Sequence, residues 1–261
     1  MDGFEDRTAL ITGGTSGIGL AIAGRLIDAG AAVVVTGRDE ERGAAAVREL
    51  RRRGAAHFVA ADVADPDHAI AAVDRAVELL GRLDLLVNNA GIGIVAGALE
   101  TSLQGFDAVM GVNLRGAFVT AKAAFPHLEA TGGSMIHVAS DAGVSGEAEI
   151  AIYSVSKAAL IMLSNMLAIE GARRGVRSNA LCPGDTEPGM RHMIEPGAEE
   201  RPDDPSMWPV PPVGRIGRAE DVADAVLYLA SDRASFVNGV ALLLDGGMRA
   251  GMRTGGPPVG G

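Results

Sequence analysis

The sequence predicts an α/β fold: a single domain built on a doubly wound parallel β-sheet with helices on both faces. Three observations carry this. Short apolar runs alternate with helix-length amphipathic segments along the chain, and strands joined by helices of that length make right-handed crossovers, which leave the strands parallel and both faces covered. The first apolar run is followed at once by a glycine-rich turn and a helix start. The 261 residues exceed a typical single-domain length, yet no linker, charge block or repeat divides them before the tail, and α/β folds of this size form one unit.

Thr8 to Ile11 is the first strand, Thr12-Gly13-Gly14-Thr15-Ser16-Gly17-Ile18-Gly19 the turn, and Leu20 to Ala29 the first helix. Glycines let the backbone approach a phosphate, and the unpaired amides of a helix N-terminus face it. The common G-x-G-x-x-G fingerprint is not literally present; Gly13, Gly17 and Gly19 supply its physical parts, although glycine-rich loops also occur as plain turns. Ala32 to Thr36 is the second strand. About 20 residues after such a turn an acid would take the 2′-hydroxyl of an NAD ribose, but Gly37 stands there, followed by Arg38, whose guanidinium suits a 2′-phosphate. NADP(H) is therefore expected in preference to NAD(H); otherwise Arg38 is a solvated loop charge and Asp39 a helix N-cap. The next helix runs from about Glu40 to Arg53, where Arg51, Arg52 and Arg53 complement the helix dipole. His57 to Ala60 is the third strand, ending at Asp62-Val63. Asp65-Pro66 opens a helix that ends at Gly81, and Leu83 to Val87 runs into Asn88-Asn89-Ala90-Gly91.

A long helix or a pair of helices fills Leu103 to Leu128, with Asn113 either solvated or bonded to a neighbouring carbonyl, as mid-helix asparagines usually are, or placed where the helix is kinked or hydrated. Ser134 to Val138 is the fifth strand, followed by Ala139 to Gly143. Gly13, Arg38, Asp62, Asn89 and Ser140 each fall just after a strand, so they should meet along the carboxyl edge of the sheet, where ligands gather. Tyr153 and Lys157 open an apolar helix that ends near Arg174. Four residues apart, they share a helix face. A tyrosine titrates near pH ~10, and an adjacent cation lowers that value toward useful acid/base work. For the two residues alone, an ordinary surface pair is the simpler reading. Arg177 to Leu181 is the sixth strand, Ala219 to Leu229 the last helix and Val240 to Leu244 the seventh strand; between them Cys182 to Arg218 is irregular and rich in proline, as lids and binding loops are.

Composition excludes several functions. Twenty-three Lys and Arg against 33 Asp and Glu leave a net charge of −10, with no basic stripe for nucleic acid. The single cysteine, Cys182, makes no internal disulfide, and Asp2, Glu5 and Asp6 argue against a secretory signal; a cytosolic protein is expected. Ile150 to Ile169 is about long enough to span a bilayer, but Tyr153, Ser154, Ser156, Lys157, Ser164 and Asn165 interrupt it, so it reads as a buried helix and no membrane is expected. The five histidines show no metal-ligand spacing, and no G-x-S-x-G hydrolase elbow is present.

Taken in order, Thr12 to Gly19, Asp62-Val63, Asn88-Asn89-Ala90-Gly91, Asn113, Ser140, Tyr153-x-x-x-Lys157, Pro183-Gly184 and Asp245-Gly246-Gly247 resemble the motifs of the short-chain dehydrogenase/reductase family. The resemblance runs from about residue 5 to Gly247. It implies a Rossmann-like sheet of seven strands in the order 3-2-1-4-5-6-7 and an Asn-Ser-Tyr-Lys tetrad, here Asn113, Ser140, Tyr153 and Lys157. By that resemblance Tyr153 exchanges a proton with the substrate oxygen as hydride passes to or from the nicotinamide, and Ser140 orients the same oxygen. Lys157 holds the nicotinamide ribose and lowers the tyrosine pKa, while Asn113 holds a water. The turn, with Gly13, Thr15, Ser16, Gly17, Ile18 and Gly19, takes the pyrophosphate. Asp62 and Val63 take the adenine, and Asn89, Ala90 and Gly91 the ribose and adjoining chain. Pro183, Gly184 and Thr186 meet the carboxamide, although the family commonly has more residues between Pro-Gly and Thr than the compressed Gly184-Asp185-Thr186-Glu187 here.

The implied activity is hydride transfer between a nicotinamide cofactor and a carbonyl or secondary alcohol. The alternatives are an NAD-dependent alcohol dehydrogenase of the same family and a non-catalytic cofactor-binding sensor or scaffold. The family's pocket is walled by the segment after Ser140, with Asp141, Glu147 and Glu149, and by a lid at about 185–217, with Asp185, Glu187, Met190, Arg191, His192, Met193, Met207 and Trp208. An acidic wall suits a polyhydroxylated or amine-bearing substrate; alternatively Glu147 and Glu149 merely face water. The helix from Ala158 to Ile169 is apolar on more than one side, and with the family's habit this points to a homo-oligomer, a tetramer or dimer. The domain is expected to end at residue 247, and the Gly/Pro-rich tail, 248–261, to be disordered or docked on a neighbouring subunit.

Overall fold

The computed structural model describes residues 3–187, 193–194 and 210–251. Its core is one seven-stranded sheet: β1 (Thr8–Ile11), β2 (Ala32–Gly37), β3 (Ala56–Ala60), β4 (Leu85–Asn88), β5 (Ser134–Val138), β6 (Arg177–Pro183) and β7 (Ala241–Leu244). Every neighbouring pair is parallel, in the spatial order 3-2-1-4-5-6-7, as expected. The chain winds outward from β1 to β3, returns to β4 beside β1, and winds the other way, so the topological switch point lies between β1 and β4.

Alternation along the strands splits the core into two layers. Ile11, Val33, Val35, Val87 and Ile136 face one side, against Ile22, Leu26, Val226 and Leu229 of α1 (Gly17–Asp28) and α7 (Ala219–Ala230). Their neighbours Leu10, Val34, Leu86 and Met135 face the other, against Val73 of α3 (Pro66–Leu80) and Ala121 and Leu128 of α5 (Ala117–Thr131). α2 (Glu40–Leu50) joins the first layer through Val47 and Leu50. α6 (Ala151–Ala172) lies over β6 on the second, where Leu160 packs with Ala180 and Cys182.

Local chemistry sets the element ends. Asp65 caps α3 by accepting the amides of Asp67 and His68, Pro66 fills the first helical position, and Gly81 closes the helix at φ 79°. α4 (Leu103–Met110) starts at Ser102, whose hydroxyl accepts the Gly105 amide. Between α4 and α5 the backbone widens into a π-helical turn, Gly111–Gly116. The apolar α6 is the one helix among the described residues long and apolar enough to cross a membrane. It is two-sided: Tyr153, Ser154, Ser156, Lys157, Leu160, Ser164, Ala168 and Gly171 are buried, while Val155, Met162, Met166 and Ile169 are exposed.

Candidate active site

The carboxyl ends of β1 to β6 bring the sequence-marked residues together. After β1 the chain turns through Gly13 (φ 64°) and Gly17 (φ 52°) into α1. Thr12 and Asn89 lock this turn to the end of β4: the Thr12 Oγ1 accepts the amides of Asn89 and Ala90 at 3.0 and 3.1 Å, and the Asn89 amide donates to the carbonyls of Thr12 and Gly13, both at 3.0 Å. Asn89, expected at a ribose, thus holds the turn itself. Gly19 is needed for close approach, because a Cβ there would lie 2.4 Å from the Gly13 carbonyl oxygen. Gly17 has nothing within 4 Å of where its Cβ would be, and the first-turn amides of α1 have no intrahelical acceptor. Ser16, the N-cap, makes no side-chain cap bond. An open, left-handed glycine at an uncapped helix N-terminus fits a phosphate.

Gly37 lies under Thr15, whose hydroxyl would be 3.1 Å from an added Cβ. The acid nearest in sequence, Asp39, is committed elsewhere: it accepts the Arg42 amide at 2.9 Å as the α2 cap and faces the Arg42 Nε at 3.8 Å. Arg38 remains 65% exposed, with Asp62 4.0 Å away, so a cation stands at the end of β2. Asp62 also accepts the Ala64 amide. Val63 is buried against Gly116, where a Cβ would meet its carbonyl oxygen at 2.6 Å. Thr186 is buried and donates to the Gly184 carbonyl at 2.9 Å, and residues Thr186–Glu187 pair with Gly217–Arg218. This set of groups fits a dinucleotide stretched along the edge.

At the other end of the edge, β5 and α6 converge. Ser140 and Tyr153 are both buried, at 8% and 7% exposure, and the serine hydroxyl is near enough to the phenol to favour the phenolate. Lys157 is buried one helical turn on, its Nζ donating to the Val138 carbonyl at 2.7 Å and lying 5.5 Å from the centroid of the Tyr153 ring. Gly143 lets the Ser140 loop lie flat on α6, since a Cβ there would lie 2.7 Å from the Lys157 carbonyl carbon. Burial pulls the lysine down to about 8. It pushes the tyrosine up, with the Ser140 hydroxyl opposing and the Asp141 and Glu147 carboxylates reinforcing. Desolvation outweighs the Ser140 hydroxyl, and Lys157 is not among the groups that set the shift.

Asn113 sits in the π-helical turn, fully buried. Its Oδ1 accepts the Ile92 amide at 2.9 Å, and its Nδ2 donates to the Ile92 carbonyl at 2.8 Å and to Ser156 Oγ at 2.9 Å. Ser156 in turn donates to the Tyr153 carbonyl at 2.7 Å. Gly91 lies between the two groups: its Cβ would be 3.3 Å from the Lys157 Nζ and 3.5 Å from the Asn113 Oδ1. Ser156 is a positioning residue that the sequence did not mark, although it lies inside the Tyr153 to Lys157 stretch.

The expected acidic wall divides. Asp141 is buried, and with Glu147 it binds Arg249, a residue expected in the tail. Glu149 and Glu187 are exposed. Met190, His192 and Trp208 lie outside the described residues. Arg249 had no local signal: it follows the last strand in a glycine-rich stretch, 108 residues from Asp141.

Comparisons with known proteins place the chain among oxidoreductases. The family model described as enoyl-(acyl carrier protein) reductase, of the short-chain alcohol dehydrogenase type, matches residues 13–249. The chain is 43% identical to a 4-formylbenzenesulfonate dehydrogenase of Comamonas testosteroni, over 94% of this chain and 98% of that one. It is 36% identical to a D-threitol dehydrogenase of Mycolicibacterium smegmatis, over 94% of this chain and 93% of the other. A crystal structure from Sinorhizobium meliloti, described as a short-chain alcohol dehydrogenase, superimposes with a TM-score of 0.86 at 32% identity, covering 96% of this chain and 99% of that one.

Proposed function

Because the chain belongs to the short-chain dehydrogenase/reductase family, as a NAD(P)-dependent oxidoreductase of CH–OH and C=O groups, we propose that it uses NADP(H) in preference to NAD(H) and that its substrate is polyhydroxylated. A nicotinamide cofactor held along this edge would supply or accept the hydride. The observation that carries the assignment of the reacting site is the burial of Ser140, Tyr153 and Lys157 together, with the Lys157 Nζ 5.5 Å from the centroid of the Tyr153 ring. Two hydroxyls converging in a dry site can bind one substrate oxygen. With its pKa raised by burial, the Tyr153 phenol keeps its proton at neutral pH, the form that donates to a carbonyl being reduced. Ser140 orients that oxygen. Lys157 presents its ammonium beside Gly91, where it would hold the cofactor ribose, and Asn113 braces the Ile92 chain next to it.

Three features support NADP: Gly37 where an acid would sit, Asp39 engaged as a cap, and the exposed Arg38. A polyhydroxylated substrate is supported by the paired Asp141 and Glu147 beside Ser140, and one relative is named for a polyol. Another is named for a sulfonate, which makes an anion the second reading, seated on Arg249. The stripe of Val155, Met162, Met166 and Ile169 on α6, with Phe118 on α5, leaves apolar surface exposed, which supports a homo-oligomer.

The test is turnover of NADPH and NADH over polyols, simple ketones and hydroxy acids, repeated with Tyr153→Phe. The variant should bind NADPH as the native chain does and lose about 10²–10⁴ in kcat. Equal turnover by the variant would refute the assignment of Tyr153.

A further inference from the structure

The C-terminal turn is built to aim one side chain back into the site. Asp245 accepts the amides of Gly247 at 2.9 Å and Arg249 at 2.7 Å. Gly246 and Gly247 take φ values of 60° and 88°, open to glycine and strained for other residues. The chain thereby reverses just after β7. Val213, at the far end of the long segment after β6, donates its amide to the Gly246 carbonyl at 3.0 Å, which fixes the turn from the other side. Arg249 then spans two carboxylates: its Nε donates to Asp141 Oδ2 at 3.0 Å and its Nη2 to Glu147 Oε1 at 2.6 Å. The three side chains are 25%, 11% and 44% exposed respectively, so the Asp141 contact is the more sheltered. Asp141 also receives the Ser140 hydroxyl at 3.3 Å, which sets the arginine one residue removed from the group that would orient the substrate oxygen.

We propose that Arg249 is a specificity-determining residue of the substrate pocket: a single guanidinium on the C-terminal turn holds Asp141 and Glu147 side by side as acceptors next to Ser140, so that the site prefers substrates bearing further hydroxyl groups to anionic ones. The physical basis is a fixed fork. A guanidinium presents separate N–H groups in rigid geometry, and two ionised carboxylates on one cation leave a net charge of −1. Acceptor lone pairs not taken by the arginine remain to bind hydroxyl donors. An incoming carboxylate or sulfonate meets net like charge and must displace Glu147. Without the arginine, the two carboxylates repel each other and separate, and the acceptors lose their spacing.

The inference rests on Ser140 and Tyr153 being the reacting site and on a polyhydroxylated substrate. Arg249→Met and Arg249→Lys in the full chain test it through kcat and KM on three matched substrates: a polyol, the simple secondary alcohol of the same length and the corresponding hydroxy acid. NADPH affinity is followed by fluorescence. Arg249→Met should raise KM for the polyol about tenfold, the loss of one or two hydrogen bonds. The simple alcohol and the NADPH affinity should change less than about twofold, and Arg249→Lys, which keeps the charge, should recover part of the polyol preference. An unchanged ratio of polyol to simple alcohol overturns the inference, as does an equal loss on both or a parallel loss of NADPH binding. If the native chain turns over no polyol, the substrate-class reading fails and the inference with it. A native preference for the polyol that survives Arg249→Met overturns the inference alone.

Discussion

Replacing Lys157 by methionine measures what the buried ammonium costs the fold. Lys157 is 2% exposed, and burial holds it at about 8 instead of 10.5. Keeping it charged in the folded chain at pH 7 therefore costs about 3 kcal/mol, at about 1.4 kcal/mol for each tenfold change in proton affinity. Methionine removes that cost but leaves the Val138 carbonyl, which accepts the Nζ at 2.7 Å, without its donor, a loss of about 1–3 kcal/mol. At pH 7 the variant should be as stable as the native chain or up to about 2 kcal/mol more stable, although inactive. The two contributions separate by pH. The folded chain binds the lysine proton more weakly than the unfolded chain, so the cost is fully present below about pH 8 and fades as the pH rises toward 10.5. The carbonyl contribution does not depend on pH. The stability difference between variant and native protein should fall by about 2 kcal/mol between pH 7 and 9.5, read by urea unfolding without added nucleotide. Cys182, pushed up to about 11 by burial, and Tyr153 change protonation above pH 9 in both proteins and largely cancel in the difference. A difference that stays flat from pH 7 to 9.5 would show that Lys157 is not held near 8 and would undo the argument.

Arg38→Ala should weaken NADPH about ten- to a hundredfold, the value of hydrogen bonds to a charged group, and leave NADH within about twofold. Titration of both cofactors reads this, and an unchanged preference would remove Arg38 from the 2′-phosphate. The two turn glycines should fail differently. Gly19→Ala, which puts a methyl 2.4 Å from the Gly13 carbonyl oxygen, should lower Tm through overpacking worth about 1–3 kcal/mol. Gly17→Ala meets no neighbour and should lose only about 1–2 kcal/mol to its left-handed backbone, while filling the space offered to a phosphate and weakening NADPH more than tenfold. Equal thermal losses with intact NADPH binding in Gly17→Ala would contradict the phosphate site.

Much of this was legible from sequence because it is local. β1 and β5 were found to the residue, α3 was framed by its Asp65 cap and Gly81 stop, and the sheet order followed once the motifs suggested the family. Other ends were missed by a few residues. α2 stops at Leu50, before the three arginines, and α6 begins at Ala151; fraying ends carry no periodic signal. The Tyr153–Lys157 spacing located the pair but not the desolvation that raises the tyrosine, because spacing reports proximity and not burial. Arg249 escaped for a different reason: its partners, Asp141 and Glu147, are over 100 residues away, and pairings at that distance leave no trace in composition.

The wide turn at Gly111–Gly116 puts the two halves of one long rod out of phase. An α-helix advances about 100° per residue, so the extra residue taken into a π turn rotates everything after it by about that angle. Val109 faces the protein before the turn, and Ala117, Ala121, Ala124 and Leu128 face it afterwards. Shortening the stretch by one residue would regularise its hydrogen bonds and turn the wrong side of α5 to the sheet. The packing on either side thus forbids the backbone its most regular form. The same turn carries Asn113, whose side-chain carboxamide grips both polar backbone atoms of Ile92.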